Sequence, residues 1–533
     1  MSGWLSDYLY SFSYRFFAAQ SLTILLFFFI GLLFVFLLKG SIREPIELLL
    51  AYPVGLSLYI LAGFLLLVTD TGFKLPYIFL VILLLYGFTL WAAVIARKRK
   101  RKEGTYSFFS LVRETYRLPS GKMLLLTGLA VLAAALFSCS GLFSVSLSND
   151  SYYYFSLYPR ALVHFSRLMH SYNVFLTDVG LGAALIGTLP YFFGFQETFG
   201  IQTAFFINFL LIFGCASAEL FRSGAREGRP AQGGKKLLPP DRKMTGTILC
   251  LLLLLTAMPF VIISKWAMAN GYFTGFMFTA VFTAIHFTTA VNREAYPAEN
   301  VRLADTVLLS LLLIALSSLR MEGVVILLFL LLSFSTLPFN GKRLALFTLL
   351  PCIVLYSLYY LQIFVWLQVE APYTFLTRRK AVLQILAMAA VFIFLNYQEK
   401  LFKKWGRGYV KGALLLLFSG GNVFLFISDR SLYLTNLKSF YRNLTGQSGW
   451  GVFPVFAVSA FLILVICHLK DKTKPRFTFM DFIVCGYLLL TLTVCFARGD
   501  PLQDNVGDSG NRVLLQSVPL IVYALAEHFR DMI

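Results

Sequence analysis

LTILLFFFIGLLFVFLL, residues 22–38, carries no charge and a single hydroxyl, Thr23. A helix of that length rises about 26 Å, close to the roughly 30 Å of hydrocarbon in a bilayer. Working outward, comparable blocks recur at Met123–Phe143, Ile248–Ile263 and Leu344–Leu361. The 533 residues are 58% hydrophobic and 14% charged, whereas a soluble domain is about 45–50% apolar and about 25% charged. Charges gather between the blocks, because one Asp, Lys or Arg at a helix centre costs about 2.5–3.5 kcal/mol on insertion. So many segments must cross as helices, each satisfying its own backbone hydrogen bonds. The expectation is an all-α polytopic membrane protein, and a soluble fold is excluded.

The net charge of +20 does not point to nucleic acid, since Lys and Arg concentrate in short loops as the positive-inside bias requires. Cys139, Cys215, Cys250, Cys352, Cys467, Cys485 and Cys495 lie in or beside apolar segments without CxxC spacing. They read as small packing residues rather than a disulfide framework or zinc site. The first block lacks a preceding basic region and a small-residue cleavage site, and reads as a retained helix.

Arg97-Lys98-Arg99-Lys100-Arg101-Lys102 fixes a cytoplasmic loop. Backward from it, spans near 75–96, 46–68 and 21–38 put the N-terminus outside. Forward, the span near 122–146 leaves residues 147–177 outside, while the basic, Gly- and Pro-rich stretch 222–243 belongs inside. Parity then allows one crossing for two apolar segments, 178–196 and 199–219. The first, interrupted by Gly180, Gly182, Gly187 and Pro190, is expected to be re-entrant or interfacial. Further spans are predicted near 245–264, 272–291, 302–318, 323–337, 343–366, 381–396, 411–428, 450–468, 479–497 and 512–527. The total is about fifteen, with a cytoplasmic C-terminus. Residues 1–121 read as an N-terminal three-span module ending in the basic loop, and 122–533 as the core.

Polar groups beside apolar spans are where function is sought, and the predicted outer face has three such places. Asn149-Asp150-Ser151-Tyr152-Tyr153 follows a span and leads into an amphipathic run, 155–175, with Arg160, His164, Arg167 and His170 among aromatics. An aromatic belt with Asp150 as a helix cap would account for it equally well. Arg320-Met321-Glu322-Gly323 interrupts an apolar stretch, where mutual pairing of the two charges is the simpler reading. Arg512, after Asp500, Asp504 and Asp508, abuts the final span. Arg378-Arg379-Lys380 breaks the charge rule for an outer loop and reads as a functional cation cluster. The histidines are too scattered for a metal site. Asn149-Asp150-Ser151 and Asn443-Leu444-Thr445 match the N-glycosylation pattern, a match frequent by chance.

These elements resemble the GT-C superfamily of membrane glycosyltransferases, of the mannosyltransferase or aminoarabinose-transferase kind. Asn149 to Tyr153 is similar to that family's first outer loop of the core, with an interfacial helix after it. Tyr191-Phe192-Phe193-Gly194 is similar to its Phe-Gly helix end, and Ser264–Phe273, with Asn270, to its second outer loop. Arg320–Gly323 looks like its Arg-x-Glu-Gly turn, and Arg512 through Pro519 like its last Arg and apolar run. The resemblance spans roughly 122–527. It implies transfer of a sugar from a polyprenyl-phosphate donor to a glycan, lipid or protein hydroxyl, at the outer face of what is expected to be a bacterial plasma membrane. Many members carry two adjacent acids where this chain has Asn149-Asp150, a departure that leaves a divalent metal unsupported, and no other cofactor is implied.

The residue types suit that chemistry. A lipid phosphate leaves readily, so the acceptor hydroxyl needs one carboxylate base and the departing phosphate needs fixed cations. Asp150 is the expected base; Arg320 and Arg512, with Arg160, Arg378 and Arg379, hold phosphate or sugar hydroxyls. Tyr152, Tyr153 and Asn270 line the site, and Glu322 orients Arg320. Two other readings stay open: a polysaccharide polymerase or ligase using lipid diphosphates, and a transporter or flippase of lipid-linked saccharides. The latter is expected to show matched, broken halves, and the sequence has no such symmetry.

Overall fold

The computed structural model describes residues 14–40, 42, 44–100, 121, 125, 128–129, 157–172, 175–194, 199–223, 240–257, 269–293, 301–369, 376–447, 450–470, 477–497, 502 and 509–532. Every regular element among them is a helix. Seven are long and apolar enough to cross a bilayer: Ser21–Lys39, Pro45–Val68, Ala204–Phe221, Gly341–Trp366, Arg378–Lys404, Arg407–Ser428 and Phe479–Ala497. Shorter apolar helices lie between them. This is the build of a multi-pass helical membrane protein.

In chain order the helices are α1 (Tyr14–Lys39), α2 (Ala51–Val68), α3 (Leu75–Lys100), α4 (Tyr158–Phe165), α5 (Leu181–Phe192), α6 (Phe199–Ser223), α7 (Pro240–Leu255), α8 (Ala269–Arg293), α9 (Leu303–Leu319), α10 (Gly323–Ser335), α11 (Gly341–Trp366), α12 (Arg378–Trp405), α13 (Arg407–Ser428), α14 (Arg430–Arg442), α15 (Phe453–Lys470), α16 (Phe479–Ala497), α17 (Ser509–Leu515) and α18 (Val518–Met532). They form two compact units. The first holds residues 1–209, 265–331 and 338–398, the second 210–264, 332–337 and 399–533. Both are therefore discontinuous in sequence.

In the first unit α2 is the most enclosed span, with 89% of its apolar window buried. It packs backbone to backbone on α1: a Cβ on Gly31 would sit 1.7 Å from the Ala51 carbonyl oxygen, and one on Gly55 1.8 Å from that of Phe27. Small residues at such crossings let helices in lipid gain van der Waals contact where no hydrophobic drive separates protein from solvent. Polar groups add to it: Tyr59 Oη and Thr188 Oγ1 are 2.8 Å apart, and Tyr52 Oη donates to the Ile201 carbonyl at 3.3 Å.

Connections of this unit sort onto two ends. At one end, Lys39 Nζ meets Glu47 at 2.5 Å and Asp305 at 3.0 Å, and His286 meets Glu44 at 3.2 Å. There too Arg343 Nη1 donates to the Val301 carbonyl at 3.2 Å and Gln398 Nε2 to that of Phe339 at 3.1 Å. These are the segments that the charge alternation assigns to a single side. At the other end, Phe73 N donates to the Ser166 carbonyl at 2.8 Å and Leu376 N to that of Thr177 at 3.1 Å. Tyr359 Oη donates to the Leu176 carbonyl at 2.7 Å, and the Gln362 amide nitrogen reaches the Leu67 and Val68 carbonyls at 3.0 and 2.9 Å.

The short segment is α5, whose twelve residues rise only about 18 Å. Its start, Gly180-Leu181-Gly182, lies against Ser318 to Arg320, and its end meets Phe73 and Arg160 through Phe192 and Tyr191. Both termini thus meet elements of the same end of the unit. The stretch 512–527 is not one helix as the sequence suggested. It breaks at Gln516-Ser517, whose amides turn back to Val513 and Leu514 at 3.1 and 3.0 Å. Pro519 explains the break, because it cannot donate a helical hydrogen bond and suits only a first turn. The expected span 122–146 lies outside the described residues.

Candidate functional site

Helix α9 stops because Arg320 turns extended, with φ −144° and ψ 157°. Ser317 and Ser318 direct their hydroxyls back to the Ile314 and Ala315 carbonyls at 2.7 and 2.8 Å, closing the helix end. Three residues on, at Gly323, α10 begins. This interruption leaves the Arg320 side chain beside the start of α8. Its Nε donates to Glu322 and its Nη1 to the Asn270 Oδ1. These contacts use two of the five guanidinium donors.

The cluster is enclosed. Arg320 and Glu322 side chains are 17% and 6% exposed, and Asn270 is buried. Charges so placed in a lipid-embedded bundle are costly unless paired, and here the carboxylate and the amide oxygen both face the guanidinium. Gly180 closes one wall. Its φ of +99° favours glycine, and a Cβ there would lie 2.7 Å from the Arg320 backbone nitrogen and Cα. Residues separated by fifty positions, Asn270 and Arg320, are therefore joined directly, as are Arg320 and Glu322.

Two other groups reach the same end through their neighbours. Arg160, on α4, places its guanidinium 5.5 Å from the Tyr191 ring centre, a cation–π distance. Helix α4 ends at Ser166, which takes a left-handed φ of 56°. Arg378 and Arg379 are exposed in the first turn of α12, which carries no acid. A helix start already bears partial positive charge, so cations there concentrate positive potential. The Leu376–Thr177 hydrogen bond anchors that helix start three residues from Gly180.

Arg512 belongs to the second unit. Its helix α17 docks on α16 where Tyr487 Oη donates to Gln516 and to the Val513 carbonyl, and Leu514 packs on Phe440, Cys495 and Leu502. Asp150, Tyr152 and Tyr153 lie outside the described residues. Among the described residues no three His, Cys, Asp or Glu side chains gather where they could hold a metal ion.

No protein-family model, curated protein or solved structure matches the chain. Its reading therefore rests on its own residues.

Sequence reasoning singled out Asn270, Arg320 and Glu322 but missed Gly180 as part of their setting. The sequence offered only a cluster of helix-weakening glycines there. It also missed the Lys39–Glu47–Asp305 network, although an acid two positions inside an apolar block was the available signal.

Proposed function

We propose that this chain is a membrane glycosyltransferase of GT-C type. On this reading it moves a sugar from a polyprenyl-phosphate donor to an acceptor hydroxyl at the non-cytosolic face. The chain would cross the membrane about fifteen times, N-terminus outside and C-terminus cytoplasmic, in a bacterial plasma membrane. The observation that carries the reading is the Arg320–Glu322–Asn270 cluster. A guanidinium oriented by a carboxylate and an amide, at a helix break, is suited to stabilise the charge that builds on a departing phosphate.

In the proposed step the acceptor oxygen attacks the anomeric carbon as the bond from that carbon to the phosphate oxygen breaks. Asp150 takes the acceptor proton, and polyprenyl phosphate leaves carrying the electron pair. Arg320 bears on the phosphate; Arg160, Arg378 and Arg379 supply further cations for phosphate or sugar hydroxyls. Tyr152, Tyr153 and Asn270 shape the sugar pocket.

The test is release of polyprenyl phosphate by the purified chain supplied with polyprenyl-phosphate sugars and candidate acceptors. Turnover by the parent chain, abolished in Asp150→Asn at unchanged expression and folding, is the expected result. Movement of the lipid-linked sugar across vesicles without turnover would replace this reading with a transporter.

A further inference from the structure

The second unit contains a helix that buries amide and hydroxyl groups beside Phe440 while leaving large apolar side chains exposed among cations. Helix α14 turns amide and hydroxyl groups inward. Asn436 Oδ1 accepts from Leu502 N at 3.0 Å, and Ser439 Oγ donates to the Leu502 carbonyl at 3.2 Å. Tyr433 Oη donates to Asn422 Oδ1 at 3.1 Å, tying the same face to α13. The outward face keeps Leu434, Leu437 and Tyr441 exposed, Tyr441 at 68%. Arg430, Lys438 and Arg442 lie exposed among them.

Spacing makes these six one surface, since positions 430, 434, 437, 438 and 441 form a single helical stripe with 442 at its edge. No acid lies within the helix, RSLYLTNLKSFYR. Asp429 before it is committed as the N-cap, accepting from Leu432 N at 2.9 Å. Depth follows from the flanking helices. Helix α13 exposes Val423, Phe424 and Ile427 up to its last turn, and α15 exposes Val455 and Phe456 from its first. Those apolar flanks belong in hydrocarbon, so α14 sits where hydrocarbon ends.

We infer that α14 is a lipid-headgroup platform: its exposed face rests in the bilayer interface and binds the phosphates of anionic phospholipids. Leu434, Leu437 and Tyr441 enter the acyl boundary while the three cations stay at phosphate level. Held rigidly by Asn436 and Ser439, the platform fixes the depth of the second unit. This inference stands apart from sugar transfer.

The test reads one position. The full chain, with the photoreactive residue p-benzoylphenylalanine in place of Tyr441, is placed in vesicles of equal phosphatidylglycerol and phosphatidylcholine and irradiated. Adducts are then identified by mass. The expected result is lipid adducts enriched about fivefold or more in phosphatidylglycerol, falling to the bulk ratio when Arg430→Gln, Lys438→Gln and Arg442→Gln are combined. Adducts at bulk composition in the parent would overturn the inference, as would enrichment that survives the triple substitution. Cross-links to a second polypeptide, or no lipid adduct at all, would overturn it equally.

Discussion

Helices α2 and α13 are close to equal in hydropathy, yet 89% of the apolar window is buried in the span containing α2 and 11% in α13. Their glycines show why. In α2 the place of a Cβ on Gly55 is taken by the Phe27 carbonyl, while nothing lies within 4 Å of the corresponding point on Gly408, Gly412, Gly420 or Gly421 in α13. One helix uses glycine to bring backbones together, and the other carries it on an open face. Apolar composition thus specifies that a helix enters the membrane, while small residues and bonded polar groups specify whether it meets protein or lipid.

The largest effect should come from filling the crossing. Gly55→Leu must separate α1 from α2 and is expected to cost beyond about 4–5 kcal/mol, leaving no monodisperse folded protein in detergent. Gly420→Leu is the matched control, changing stability by no more than about 1 kcal/mol and in the stabilising direction. Equal tolerance of both would dissolve the contrast.

Next comes the charged anchor of the enclosed region. Lys39→Met leaves Glu47 and Asp305 without their cation, in side chains 12% and 10% exposed. A loss of about 3–5 kcal/mol in unfolding is expected, partly restored when Asp305→Leu is added. The smallest effect concerns Asn422, the buried amide of α13. Asn422 donates to the Phe418 and Leu489 carbonyls at 2.9 and 3.0 Å and receives Tyr433. Asn422→Leu should cost about 0.6–1.7 kcal/mol, the usual range for polar contacts between membrane helices, and a larger loss would make α13 more than a lipid-facing wall.

The helical membrane build was legible because hydrophobic length is a one-dimensional property. Boundaries such as 479–497 and 343–366 lie within a few residues of the helices found. The break at Gln516-Ser517 escaped notice because Pro519 was read as part of an apolar run rather than as a helix start. Arg320, Glu322 and Asn270 were legible as polar groups at helix ends, and charge alternation placed them on one side. The Arg320–Glu322 pairing was legible as well, two positions apart; the contact with Asn270 was not, since nothing in the sequence records which group fifty positions away meets Arg320. Division into two discontinuous units is equally invisible to a reading that follows the chain. Asp150, the expected base, rests on the sequence alone.

The proposed role of the helix-break cluster is tested most directly by the turnover rate of Arg320→Lys beside Arg320→Gln, in protein whose thermal unfolding is measured in parallel. Lysine keeps a cation for Glu322 but loses the guanidinium fork. It should fold like the parent while transferring sugar at least about tenfold more slowly, with glutamine slower still, by roughly 10²–10³. Folded Arg320→Lys and Arg320→Gln proteins that release polyprenyl phosphate at the parent rate would contradict the account.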